Sequence, residues 1–309
     1  MKRFRRILTG VDLSGGDRLV SQDLTPPNRE AVRRSIELAK ESGANLCLMS
    51  ALDVSAGTQK MIEEYQGSEP NVVDAAQGVL QNLVTQAAEE GVRAEAVVCF
   101  GKSWLTLIQR TISQQHDLVV VGTRNPGPLE RMLYGSTAMK LLRYCPCPVW
   151  VTKPVAGSGF RNILVAHDLS EVGHDSLRLG ASLAALHGAK LLVIHGLELT
   201  PSFGIPPAGF SEAEQQIRLE AARQRIMDDV ASLHPKPVPD IHVVTGQPEE
   251  AILRMIEENA VDVVVMGTRG RSGVSGMLIG NTAERLLPRL TCSVLAVRHA
   301  DFVCPVSLP

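Results

Sequence analysis

Aromatic residues are scarce in this chain, at 4% of 309, and neither sign of charge dominates, the formal net charge being −2. A nucleic-acid binder needs a basic footprint for phosphates or aromatic faces for bases, so neither DNA nor RNA is indicated as a partner. No apolar run approaches the roughly 18 residues that cross a bilayer, and no membrane span is expected. Met1-Lys2-Arg3-Phe4-Arg5-Arg6 begins as a secretory leader would, yet the apolar stretch behind it stops at Asp12, too short for a leader core. The expected location is therefore the cytoplasm. Cysteine is sparse as well: Cys47, Cys99, Cys145, Cys147, Cys292 and Cys304. Cys145-Pro146-Cys147 has the look of half a metal site, but no matching Cys/His pair stands elsewhere at ligand spacing. Four of the six fall in or beside apolar runs, where a reduced thiol packs as a small hydrophobe, so no metal is expected.

What the sequence does contain is one module written twice. Asp117-Leu118-Val119-Val120-Val121-Gly122-Thr123-Arg124 recurs as Asp262-Val263-Val264-Val265-Met266-Gly267-Thr268-Arg269, at an offset of 145. The same offset pairs Gly101 with Gly246, Gly135 with Gly280, Cys147 with Cys292, and Gly43-Ala44 with Gly188-Ala189. Ile7-Leu8-Thr9-Gly10-Val11-Asp12-Leu13-Ser14 matches Ile163-Leu164-Val165-Ala166-His167-Asp168-Leu169-Ser170 at 156, so the first copy carries eleven extra residues between Ser14 and Gly43. Lys153 to Phe160 has linker composition. Domains are expected over 1–153 and 161–300, with a linker at 154–160 and a tail at 301–309.

Within each copy, short β-branched runs alternate with helical patterns, the signature of an α/β fold with a parallel sheet. Strands are expected near 5–11, 45–52, 93–100, 117–122 and 149–152, and near 162–167, 190–197, 241–245, 262–267 and 293–297. Residues 71–90 and 211–234 repeat their apolar positions at helical spacing. The expected architecture is two tandem doubly wound, five-stranded domains of Rossmann-like type. Such sheets bind ligands at the carboxyl ends of the strands, beside the first strand.

The chemistry concentrates after the fourth strand of the second copy. Met266-Gly267-Thr268-Arg269-Gly270 is followed by nine residues and then Gly280-Asn281-Thr282, which open a helix. Glycines let backbone approach a ligand, and a helix N-terminus offers unpaired N–H groups suited to phosphate. Asn281 and Thr282 add side-chain donors; Arg269 and Arg271 add positive charge.

This Gly-x2-Gly-x9-Gly-(Ser/Thr) pattern resembles the ATP-binding motif of the universal stress protein family, and the resemblance covers nearly the whole chain, twice. It implies a fold similar to the adenine nucleotide alpha hydrolases. It further implies that Asp168 lies against the nucleoside, that Gly196 and Met266 line the adenine slot, and that Gly267, Arg269, Gly270, Gly280, Asn281 and Thr282 surround ribose and phosphates. Asn281 stands where the motif has Ser or Thr. In the first copy Asp12, Gly122, Gly135 and Ser136 hold the matching places, but the second glycine is Asn125, followed by Pro126. Proline removes a donor and fixes φ where the loop should wrap phosphate, so this site is expected to be degenerate.

Other signals carry less. Ser14-Gly15-Gly16-Asp17 resembles the first loop of adenylating ATP pyrophosphatases, but the Asp comes one position early and the second copy lacks it. His167 and His195 should end adjacent strands, but the matching residues are Val11 and Ser50 and no third ligand is evident, so packing or ligand lining is expected. The apolar segment Leu197 to Phe210, broken by Gly and Pro, reads as a lid or an ordered loop. No nucleophile–base pair is found, and no catalytic residue is assigned.

The resemblance thus implies a cytoplasmic stress-response protein that binds ATP, or ADP or AMP, in its second domain, with Mg²⁺ accompanying the triphosphate. Its role would be sensing, read out by a protein partner. The two last strands would cover one another in an intramolecular pseudo-dimer, or serve a homodimer. A hydrophobic ligand in place of nucleotide, and slow ATP hydrolysis, are the other readings.

Overall fold

The computed structural model describes residues 4–14, 19–65, 71–123, 134–155, 157, 159–198, 211–268 and 279–308. The chain divides into two units, Met1–Pro154 with Phe302–Pro309, and Val155–Asp301.

The first unit runs β1 (Arg6–Gly10), α1 (Pro26–Ser42), β2 (Asn45–Leu52), α2 (Ala56–Glu63), α3 (Val72–Glu89), β3 (Ala94–Phe100), α4 (Ser103–Gln114), β4 (Leu118–Gly122), α5 (Ser136–Tyr144) and β5 (Val149–Thr152). Its strands are all parallel, in the order β3-β2-β1-β4-β5. Leu118, Val119 and Val120 of β4 are fully buried, as a strand covered on both faces must be. Adjacent residues of β1 show the two layers. Thr9 Oγ1 donates to Ser35 Oγ of α1 at 2.6 Å, whereas Gly10 faces Leu107 of α4. Side chains alternate across a strand, so α1 and α4 cover opposite faces. The sheet is doubly wound.

The second unit repeats this plan with β6 (Asn162–Ala166), α6 (Glu171–His187), β7 (Lys190–Leu197), α7 (Glu212–Leu233), β8 (Asp240–Thr245), α8 (Pro248–Glu258), β9 (Val263–Gly267), α9 (Asn281–Leu286) and β10 (Ser293–Val297). The order is β8-β7-β6-β9-β10, again parallel throughout. Gly180 lets α6 approach Val165 of β6 with no Cβ between them.

Local signals set the boundaries. Asn71 and Ser211 close capping boxes with Asp74 and Glu214 at the starts of α3 and α7. Gly43 and Gly188, at φ 67° and 62°, end α1 and α6 in the left-handed conformation that glycine adopts without penalty. The next N–H then returns into the last turn, Ala44 to Ala39 O at 3.0 Å and Ala189 to Ala184 O at 2.9 Å. The last residues fold back on the first unit: Gln109 Nε2 donates to Ser307 O at 3.3 Å, and Cys304 Sγ to Tyr144 O at 3.2 Å.

Candidate functional site

In each unit the strand order reverses beside the first strand, which opens a crevice at the carboxyl ends of the first and fourth strands. An aspartate stands at this point in both. Asp12 Oδ1 accepts from Ser14 N–H at 3.0 Å and Ser14 Oγ–H at 2.6 Å. Asp168 Oδ1 accepts from Ser170 N–H at 3.1 Å and Ser170 Oγ–H at 2.5 Å. One carboxylate oxygen thus builds the turn, and the other takes no part in it. Ser170 also accepts from Gly173 N–H at 3.2 Å as the N-cap of α6, so the turn and the helix start are one structure.

The first unit encloses a cavity of about 750 Å³ at these strand ends. Asp12, Gly122, Gly135 and Ser136, the four residues picked out in the first copy, all line it, with Asn28 and Asp53. Gly135 is the N-cap of the nine-residue α5 and no side chain caps it. The first turn of α5, Ser136 to Ala138, lines the same cavity as Asp12. Gly122 also serves packing, since a Cβ there would stand 2.7 Å from the backbone of Pro27. Asn28 braces the aspartate, donating from Nδ2 to Asp12 O at 2.8 Å. Asn125, Pro126 and Gly15 to Asp17 lie outside the described residues.

In the second unit Met266 is buried within β9, and Gly267 ends that strand opposite Val297. Gly280 is the N-cap of α9, and its N–H donates to Thr268 O at 2.6 Å, which closes the base of the loop. Arg298, itself buried, donates from Nη1 to Thr268 Oγ1 at 2.8 Å. Asn281 and Thr282 open α9, where no side chain caps the helix. Arg269, Gly270 and Arg271 lie outside the described residues, as does 199–210, the body of the lid segment. Gly196 meets α8 directly: a Cβ would stand 2.7 Å from Pro248 Cα, so packing alone demands glycine there.

The histidines of β6 and β7 do not converge as a ligand pair. His195 Nδ1 lies 2.7 Å from the His167 carbonyl oxygen. The buried His167 ring turns toward α7, placing Nε2 3.2 Å from Asp229 Oδ2 without hydrogen-bond geometry. His174 Nδ1 reaches the other oxygen of Asp229, also at 3.2 Å. His167 Nδ1 accepts from Leu169 N–H at 3.1 Å, holding Leu169 at φ 60°, a strained value for leucine. Burial pushes the His167 pKa down, Asp229 and Asp168 oppose this, and His195 and His174 add to it. Sequence spacing could not reveal Asp229, which comes from a helix distant along the chain.

The six cysteines form no disulfide with one another, and Cys145 Sγ and Cys147 Sγ stand 3.7 Å apart. Among the described residues no group of three His, Cys, Asp or Glu side chains is placed to hold a metal, and no helix is long and apolar enough to cross a membrane.

An Asp-x-Ser turn at the end of the first strand, set against a glycine-capped helix after the fourth, defines a class: a doubly wound module with its crevice at the switch point, here present twice. The universal stress protein family matches residues 3–153 and again 159–298, and the chain belongs to that family. Among its relatives, Universal stress protein E of Escherichia coli is 26% identical over 303 residues, covering 94% of this chain and 96% of the relative. Universal stress protein E of Photorhabdus laumondii is 25% identical over 302 residues, covering 93% and 96%. A universal stress protein from Archaeoglobus fulgidus shares the fold at a TM-score of 0.67 and 21% identity, over 95% of this chain and 98% of that one.

Proposed function

We propose that this protein is a sensor that binds an adenine nucleotide at the crevice of its second unit. The observation that carries the reading is the pairing of the Asp168–Ser170 turn with the Gly280-capped start of α9, at strand ends joined by the Gly-x2-Gly-x9-Gly spacing. The free oxygen of Asp168 suits ribose or base donors. The open amides and side chains of Asn281 and Thr282 suit phosphate. Mg²⁺ would travel on the triphosphate, held by phosphate oxygens rather than by a protein cage.

The first unit supplies scaffold in this reading, although its cavity has the volume and the matching aspartate for the same class of ligand. A wholly apolar ligand fits that cavity less well, because it would cover the Asp12 and Asp53 carboxylates without pairing them. In this reading the role is binding rather than turnover. The protein would work as a sensor: nucleotide occupancy changes a surface of the second unit that a protein partner reads.

Denaturing the purified protein and identifying the released small molecule by mass spectrometry tests this. ATP, ADP or AMP near one per chain, lost in Gly280→Val, is the expected result. An empty protein that also ignores added nucleotide would remove the reading.

A further inference from the structure

At the opposite end of the first sheet lies a cleft of about 310 Å³, at the amino ends of β1, β2 and β3. Arg6, Arg93, Asn45, Gln114 and His116 line it. His116 is only 8% exposed, and neither of its ring nitrogens has a hydrogen-bond partner. The Arg6 backbone lies close enough to raise the ring's pKa, but the geometry falls short of a hydrogen bond. An imidazole buried in this way costs folding free energy, because its nitrogens give up water without regaining a partner.

The duplicated architecture shows that the fold does not require this cost. The residue matching His116 in the second unit is Val261, buried at 6%. The backbone anchoring beside it is the same in both units. Asp117 accepts from Arg5 N–H at 2.7 Å and Arg6 N–H at 3.1 Å; Asp262 accepts from Arg161 N–H at 2.6 Å and Asn162 N–H at 3.0 Å. The two cations are also confined to the first unit, since Asn162 and Val238 stand where it has Arg6 and Arg93.

The charges in the cleft favour an anion. Glu95 is neutralised by Arg110 at 2.7 Å. Arg6 spends one guanidinium N–H on Gln114 O at 2.8 Å, masking the negative end of α4, and keeps its remaining donors. Arg93 makes no side-chain bond among the described residues. The Cys47 thiol, pushed up to about 12 chiefly by burial, stays protonated and offers no covalent chemistry.

We propose that this cleft binds a small oxyanion, a carboxylate or phosphate of metabolite size, held by Arg6, Arg93 and the His116 ring. The site is independent of the nucleotide crevice: it belongs to the first unit, at the end of the strands away from that unit's own crevice. The test follows the His116 ring signal by NMR, identified by its loss in His116→Val, while inorganic phosphate or succinate is added against sodium chloride of equal ionic strength. A saturable shift with either oxyanion, weakened tenfold or more in Arg93→Ala, is the expected result. Which of the two saturates separates phosphate from carboxylate as the natural chemistry. Only a linear drift that chloride reproduces, or a curve unchanged in Arg93→Ala, would overturn the site. His116→Val is expected to fold, because Val261 already does this job, and to melt a few degrees higher than wild type without anion. Phosphate and succinate should no longer raise its midpoint. An oxyanion-dependent rise as large as that of wild type would equally contradict the proposal.

Discussion

His167 Nε2 and Asp229 Oδ2 stand 3.2 Å apart, a buried imidazole just past β6 facing a carboxylate of α7. His116 in the first unit is buried too, with no partner. Desolvation lowers the pKa of both rings below the ordinary 6.5. The unfolded chain then takes up their protons first as pH falls. Their contribution to stability is therefore full above about 6.5 and is lost below it, down to the depressed folded values, with a slope of up to about 1.4 kcal/mol per pH unit for each ring. Calorimetry at about pH 7.5 and about pH 5.5 should show a lower midpoint in acid. His116→Val and His167→Val, copying Val261 and Val11 of the opposite copies, should each flatten the dependence. An unchanged slope in both variants would mean other groups govern it.

The two Asp-x-Ser turns look alike but should differ in stability. Ser170 caps α6, so Ser170→Ala should cost about 1 kcal/mol in denaturant unfolding. Ser14 caps nothing, because α1 begins at Pro26, and Ser14→Ala should change stability by less than about 0.5 kcal/mol. Equal losses would show that the turn, rather than the cap, dominates.

Gly196 and Pro248 form a matched pair. The corresponding residues of the first copy are Ala51 and Ser103. Gly196→Ala alone should destabilise by about 1–3 kcal/mol through the clash with Pro248. Adding Pro248→Ser should recover most of that loss, measured as a double-mutant cycle. A fully stable single variant would return Gly196 to a purely ligand-lining role.

Much of the architecture was legible because burial on both faces forces a distinctive text. Val119-Val120-Val121 and Val263-Val264-Val265 can only be interior strands, and the capping residues Asn71 and Ser211 mark helix starts within one residue of the expected 71–90 and 211–234. The aspartates were visible through repetition alone. Ser14 and Ser170 repeat with them, but the bond joining each pair was not legible, since an Asx turn needs a backbone geometry that residue spacing does not fix. Asp229, Arg298 and Asn28 were illegible for a different reason: each reaches its partner across the fold. Gly196 and Gly122 show the reverse, glycines that attract a functional reading but that packing against Pro248 and Pro27 already explains. His116 drew no attention in the sequence, and only its burial beside two arginines singles it out.

The central claim is that the second unit holds an adenine nucleotide. Its most direct test is equilibrium titration of the nucleotide-free protein with ATP and Mg²⁺, in wild type, Asp168→Ala, Gly280→Val and Asp12→Ala. The account predicts one principal site per chain, weakened at least tenfold, about 1.4 kcal/mol, by Asp168→Ala and by Gly280→Val and little affected by Asp12→Ala. Binding abolished by Asp12→Ala but retained in the two second-unit variants, or no binding in wild type, would contradict it.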